Sequence, residues 1–173
     1  EDLTNLVDFY KEKGYRDARV VNDTLIKNKD GLILGICNGF QALIKLGLVP
    51  FGEITEQTAE SPTLTFNTIG RHQSRLVNTK IFSDKSPFLY GTSFDEIYSV
   101  PISHGEGRFV CSQKLFAKLK ENGQIATRYV DDTGFPTMDI DFNPNGSFEA
   151  VEGITSPDGR VFGKMGHSER FSN

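Results

Sequence analysis

The sequence has no tryptophan, only two cysteines, Cys37 and Cys111, and only three histidines, His72, His104 and His167. Two cysteines without a secretory leader pattern do not make a disulfide framework, so both thiols are expected reduced and a cytoplasmic location fits. In that setting the N-x-S/T matches at Asn22 and Asn145 carry no glycosylation meaning. No apolar run approaches the roughly 18 residues needed to span a bilayer, so no membrane role is expected. Basic residues are in deficit, 19 Lys and Arg against 23 Asp and Glu. That balance argues against sequence-independent nucleic-acid binding, which relies on a basic surface. The two H-x-E pairs, His104/Glu106 and His167/Glu169, could in principle join Cys37 around a metal. No closely spaced ligand pair on a helix supports this, and no metal is expected.

The 173 residues, 37% hydrophobic and 24% charged, have the make-up of a globular protein. They suffice for one domain with a core, and residues 1–173 read as a single α/β unit. Leu3, Leu6, Val7 and Tyr10 recur at helical spacing with Gly14 as a stop, and Ala18, Val21, Leu25 and Ile26 suggest a second helix. The run Gly31–Ile36 is apolar on both faces, the pattern of a central strand in a mostly parallel sheet. Phe40, Leu43 and Ile44, stopped by Gly47, outline a short helix. Strands are expected at Thr63–Ile69, Arg75–Phe82, Ile97–Ile102 and Ile125–Val130. Ser112 should cap a helix running to Leu119 and ending at Gly123. Turns are signalled at Asp131–Gly134 and Asn143–Gly146, and Pro157–Gly159 joins Ala150–Thr155 to Arg160–Lys164 as a hairpin. A strand buried on both sides needs neighbours, and only two helices precede it. The chain therefore reads as a fragment lacking upstream strands.

The chemistry concentrates at Gly35-Ile36-Cys37-Asn38-Gly39, which has the G-x-nucleophile-x-G form of a strand-to-helix elbow. Small residues two positions either side of the nucleophile let strand and helix approach closely. The helix N-terminus is expected to favour thiolate, drawing the cysteine below its free pKa of about 8.5. The Asn38 N–H would then face a tetrahedral oxyanion. A buried structural cysteine in a glycine-rich strand end is the competing reading. His167 with Glu169 two positions on supplies a base and its orienter, because i and i+2 point the same way in an extended segment. Alone, His167–Glu169 would read as a polar loop. His104–Arg108 is a second glycine-flanked polar cluster after a strand, fit either for a ligand or for a hydrogen-bonded turn. His72 reads as part of a solvated face and Cys111 as filler near a helix start.

Four motifs, Gly35–Gln41, Ser103–Arg108, Asn143–Ser147 and Gly166–Arg170, occur in the order found in one family. Together they resemble the class I, triad-type glutamine amidotransferase domain of phosphoribosylformylglycinamidine synthases. The likeness runs from about Lys27 to Arg170, and Ser61–Lys80 looks like the large single-chain form rather than the separate small subunit. The resemblance implies a flavodoxin-like fold with a mostly parallel sheet, flanking helices and an added antiparallel portion. It implies Cys37 as nucleophile, His167 as base, Glu169 as its orienter, and Gln41, Ser103, His104 and Gly105 as glutamine contacts. Ammonia would pass to a synthetase domain that uses ATP and magnesium to amidinate formylglycinamide ribonucleotide in purine synthesis; this segment itself needs no cofactor. Family members have a glycine-rich loop donating a second oxyanion N–H, and none appears between Glu1 and Asp30. Loss of one such donor costs about a hundred- to a thousandfold in turnover, so the isolated polypeptide is expected to be poorly active. Two alternatives stay open. One is another cysteine hydrolase on the same scaffold, a γ-glutamyl hydrolase or peptidase; the other is a catalytically silent glutaminase-like interaction module.

Overall fold

The computed structural model describes residues 31–170. The two helices expected over residues 3–26, and the segment 1–30, whose sequence shows no glycine-rich oxyanion loop, lie outside them. The described chain is α/β. Strand β1 (Ile33–Ile36) leads through Cys37 into helix α1 (Asn38–Leu46). Phe40, Leu43 and Ile44 fall on the buried face of α1, and Gly47 ends it at φ 81°, a left-handed stop that glycine adopts freely. The short β2 (Thr63–Thr65) and the long β3 (Gln73–Ile81) follow, then β4 (Ile97–His104) and β5 (Arg108–Val110). Helix α2 (Gln113–Glu121) is capped by Ser112, whose hydroxyl accepts the Leu115 N–H at 3.2 Å. Strands β6 (Ile125–Tyr129), β7 (Val151–Thr155) and β8 (Val161–Lys164) complete the order.

Six strands form one sheet in the order β1-β8-β7-β6-β3-β4, while β2 and β5 pair separately. Among the described residues only β1 and β8 run parallel; β8 with β7, β7 with β6, β6 with β3 and β3 with β4 are antiparallel. The parallel share is thus smaller here than the mostly parallel expectation. The physical reason is visible in the connections. Gly159, at φ 75°, donates its N–H to the Ser156 carbonyl in a tight turn, and a turn that short can only return the chain antiparallel. Nor is β1 central among the described strands. It is an outer one, with Ile33 45% and Leu34 42% exposed. The strand expected over Thr63–Ile69 stops at Thr65, where Asn67 leaves the ladder to bond the Gly105 carbonyl through its N–H.

The principal core gathers Phe40, Leu43 and Ile44 of α1, Phe116 and Leu119 of α2, Phe109 of β5, Ile154 of β7 and Met165 just past β8. Phe40 fixes α1 against β8. A Cβ on Gly163 would come within 2.2 Å of the Phe40 ring, so glycine is required for the ring to seat there. Full burial of a side chain of this size is worth about 2–3 kcal/mol, and it anchors the helix that begins at the cysteine.

Candidate active site

Parallel pairing puts the C-terminal ends of β1 and β8 side by side. The register runs Ile33 with Val161 through Ile36 with Lys164, and one residue further the Cys37 N–H donates to the Lys164 carbonyl at 2.9 Å. The chain therefore leaves β1 through Cys37 and leaves β8 toward His167 at the same edge. Cys37 stands at φ 53° and ψ −106°, a left-handed φ that costs a non-glycine residue on the order of 1–3 kcal/mol. Its carbonyl already accepts the Gln41 N–H at 3.1 Å, so the strain falls on the residue that turns strand into helix. Gly35 is what permits the turn. A Cβ there would lie 2.5 Å from Leu43 Cδ1 and 2.7 Å from the Gly39 carbonyl carbon. Gly39 differs from the expectation, since a Cβ on it would meet nothing within 4 Å. The close approach is made by Gly39's backbone onto Gly35.

His167 is buried, and its Nδ1 is 2.6 Å from Glu169 Oε1. The pairing expected from an extended segment is present on a different backbone. Ser168–Arg170 is a 3-10 turn in which the Arg170 N–H donates to the His167 carbonyl at 3.0 Å. The turn curls Glu169 back, whereas two residues of straight strand would only have made the side chains parallel. The His167 N–H donates to the Pro101 carbonyl of β4 at 2.8 Å, tying the turn to the far edge strand. Glu169 is only partly covered; burial alone would raise its carboxyl, but the His167 hydrogen bond, its own backbone N–H and the nearby Arg170 hold it below the usual range. Burial pushes the Cys37 thiol up, with the Asn38 N–H and Arg170 pulling it down and Glu169 adding to the rise. This reverses the expectation of a depressed thiol: desolvation outweighs the donor at the helix start.

The remaining candidates converge from a second direction. Gln41, one turn into α1, donates from Nε2 to the Glu106 carbonyl at 2.5 Å, bringing the β4–β5 loop over the elbow. Ser103 Oγ lies 3.1 Å from Nε2 of His72, which is exposed as expected. His104 is buried, and neither ring nitrogen has a hydrogen-bond partner among the described residues. Burial first, then the neighbouring His72 and His167, lower its pKa from the ordinary 6.5 to about 4, so the ring is neutral at physiological pH. Gly107 closes on that ring so tightly that a Cβ would sit 2.2 Å from its Cε1, whereas a Cβ on Gly105 would meet nothing within 4 Å.

Sequence reasoning missed the residues that hold this loop. Asn67 donates from Nδ2 to the His104 carbonyl at 2.9 Å and accepts the Gly107 N–H at 3.2 Å. Asn145 donates to the Gly107 carbonyl at 2.8 Å and to the Tyr129 hydroxyl at 3.0 Å, and Ser147 Oγ accepts the Phe109 N–H at 3.0 Å. The Asn143–Ser147 motif is therefore a buried amide scaffold for the loop, beyond the turn its composition signalled. Asn67 carried no such signal, because it fell inside the stretch Thr63–Ile69 that its composition marks as strand. Cys111 is half-buried against the principal core with its thiol pushed up to about 11 by burial, consistent with a filler. No group of three or more metal-ligating side chains is found among the described residues.

A strained cysteine at a strand-to-helix elbow, with a bonded histidine–glutamate pair following the neighbouring parallel strand, is the pattern a triad-type amidotransferase requires. The chain belongs to the CobB/CobQ-like glutamine amidotransferase domain family, whose profile matches residues 15–173. It is 41% identical over 144 residues to phosphoribosylformylglycinamidine synthase subunit PurQ of Methanococcus maripaludis, an alignment covering 83% of this chain and 52% of that one. The PurQ of Aquifex aeolicus is 35% identical over 155 residues, covering 90% and 62% respectively. A solved structure of PurLQS from Thermotoga maritima superposes with a TM-score of 0.59 at 27% identity, over 95% of this chain and 57% of that one. The chain thus spans little more than half the length of these relatives. Among the described residues no helix is long and apolar enough to cross a membrane.

Proposed function

We propose that residues 1–173 belong to a single glutaminase domain of a phosphoribosylformylglycinamidine synthase, releasing ammonia from glutamine for purine biosynthesis. The observation that carries this is the paired exit of Cys37 and His167 from the adjacent ends of β1 and β8, with Glu169 bonded to His167 Nδ1. The names of the PurQ relatives support the particular reaction.

In the reaction Cys37 Sγ attacks the side-chain carbonyl carbon of glutamine as its proton passes to the free nitrogen of His167. Because burial keeps the resting thiol protonated, this transfer accompanies the attack rather than preceding it. The Asn38 N–H faces the developing oxyanion. Collapse breaks the carbon–nitrogen bond, the His167 proton goes to the leaving amine, and ammonia departs, leaving a glutamyl thioester. Water deprotonated by the same imidazole then releases glutamate and restores the thiol. Glu169 fixes the tautomer that leaves the outer nitrogen of His167 as acceptor. Gln41, Ser103, His104 and Gly105 contact the glutamine. The ammonia would be consumed by a companion synthetase domain that binds ATP and magnesium, in the cytoplasm. The stretch Ser61–Lys80 favours the large single-chain form of that enzyme.

The test compares glutamine with free ammonia as nitrogen donor in the full-length protein. Cys37→Ala should abolish the glutamine-dependent reaction and leave the ammonia-dependent one within about twofold. Survival of the glutamine-dependent reaction would reduce the domain to a silent interaction module. A diazoketone analogue of glutamine should label Cys37; failure to label, with hydrolysis of γ-glutamyl peptides instead, would favour another hydrolase.

A further inference from the structure

One buried carboxyl group lies outside the nucleophile, its base and the base's orienter. Glu152, on β7, has no exposure to solvent. Its Oε1 accepts the Gly166 N–H at 2.6 Å, and its Oε2 accepts the Thr127 hydroxyl. No cationic side chain pairs with it among the described residues. A buried carboxyl group without a counter-ion is costly, and an apolar residue would fill the same site at less cost if filling were all it did.

What it holds is the approach to His167. The β8 ladder with β1 ends at Lys164. Beyond it, three successive N–H groups lead to the imidazole, and each has its own acceptor. Met165 donates to the Glu152 carbonyl at 3.2 Å, Gly166 to the Glu152 side chain and His167 to the Pro101 carbonyl. Glu152 therefore supplies two of the three acceptors. Gly166 is clamped from both sides: a Cβ there would lie 2.7 Å from Val100 Cγ2 and 3.0 Å from Glu152 Oε1. The peptide before the base is held between Val100 of β4 and the Glu152 side chain.

We infer that Glu152 is a positioning residue for the glutaminase reaction, its side-chain oxygen on Gly166 N–H setting where the His167 imidazole stands relative to Cys37. This rests on the proposed glutaminase reading. Glu152 is shut off from solvent, so its effect should appear in turnover rather than in glutamine binding.

The experiment measures glutamate release by the full-length protein, with kcat and KM resolved, for wild type, Cys37→Ser, Glu152→Gln and Glu152→Met. Glu152→Gln keeps an oxygen for Gly166, and the Thr127 hydroxyl can turn to accept from the new amide. It should retain kcat within about threefold. Glu152→Met fills the volume and leaves the Gly166 N–H without an acceptor. It should lose at least about tenfold in kcat with KM changed less than about twofold. If the Met variant does not fold, Glu152→Asp takes its place: it keeps the carboxyl group but withdraws it by one methylene, and it should lose kcat where Gln does not. A folded Met variant with wild-type kcat, equal losses in Gln and Met, or an Asp variant more active than Gln would each overturn the inference. Wild type without glutaminase activity that Cys37→Ser removes would instead sink the functional reading on which it stands.

Discussion

The neutral, buried His104 ties the stability of the domain to pH, and the size of the effect follows from its surroundings. Its pKa falls from the ordinary 6.5 to about 4 in the folded chain. Between those values the unfolded chain binds a proton that the folded one does not, so stability rises with pH through that window and is lost as pH falls. From about pH 7.5 to about pH 5 the ring should account for a loss of about 2 kcal/mol, levelling off below about pH 4. With a urea slope of about 1–3 kcal/mol/M, the unfolding midpoint should drop by about 0.7–2 M. The sequence has no tryptophan, so circular dichroism is the suitable probe. His104→Gln keeps a side chain of similar length and removes the titration. Its stability should fall by about 2 kcal/mol less than that of wild type over the same pH interval. Identical pH dependence in the two proteins would refute the assignment of the acid sensitivity to this ring.

Three further outcomes follow from the site. Gly35→Ala should destabilise the domain by about 1–3 kcal/mol in urea melts, because its Cβ meets the Gly39 backbone at 2.7 Å. Asn67→Ala removes two hydrogen bonds to the His104–Gly107 loop, and KM for glutamine should rise several-fold while Cys37 alkylation is unchanged. The iodoacetamide reaction of Cys37 should have its midpoint above the free-thiol value of about 8.5. Glu169→Gln removes a charge that raises the thiol and should lower that midpoint, while Arg170→Met should raise it. An unchanged midpoint in both variants would show that the sulfur lies outside their field.

Local patterns made much of this legible. Phe40, Leu43, Ile44 and Gly47 spell α1 with its stop, and the Ser112 cap is where a serine before an amphipathic turn belongs. The Cys37 elbow could be read from its flanking glycines, and His167 was expected near it because the proposed chemistry needs both groups; the two do leave adjacent strand ends. Tertiary facts were hidden. Whether Ile33–Ile36 is central or outer depends on what pairs with it, and apolar composition is silent on that. The 3-10 turn at Ser168–Arg170 carries no strong propensity of its own; it is held by the His167 bond to β4. The direction of the Cys37 shift turned on how deeply the elbow is covered, a property of the folded whole. Asn67 and Glu152 escaped notice because a buried amide or carboxyl group looks like a surface one until its partners arrive from 37 and 14 positions away.

The ladder between β1 and β8 acts as a ruler for the chemistry. Four residue pairs hold it, and the sulfur hangs from one scale while the imidazole hangs from the other. Sliding by a single notch would displace one group against the other by about 3.3 Å, further than a proton hops along a hydrogen bond. Insertions in the long excursion between these two strands can alter loops and edges freely. An insertion inside either strand would carry the proposed nucleophile and base out of alignment at once.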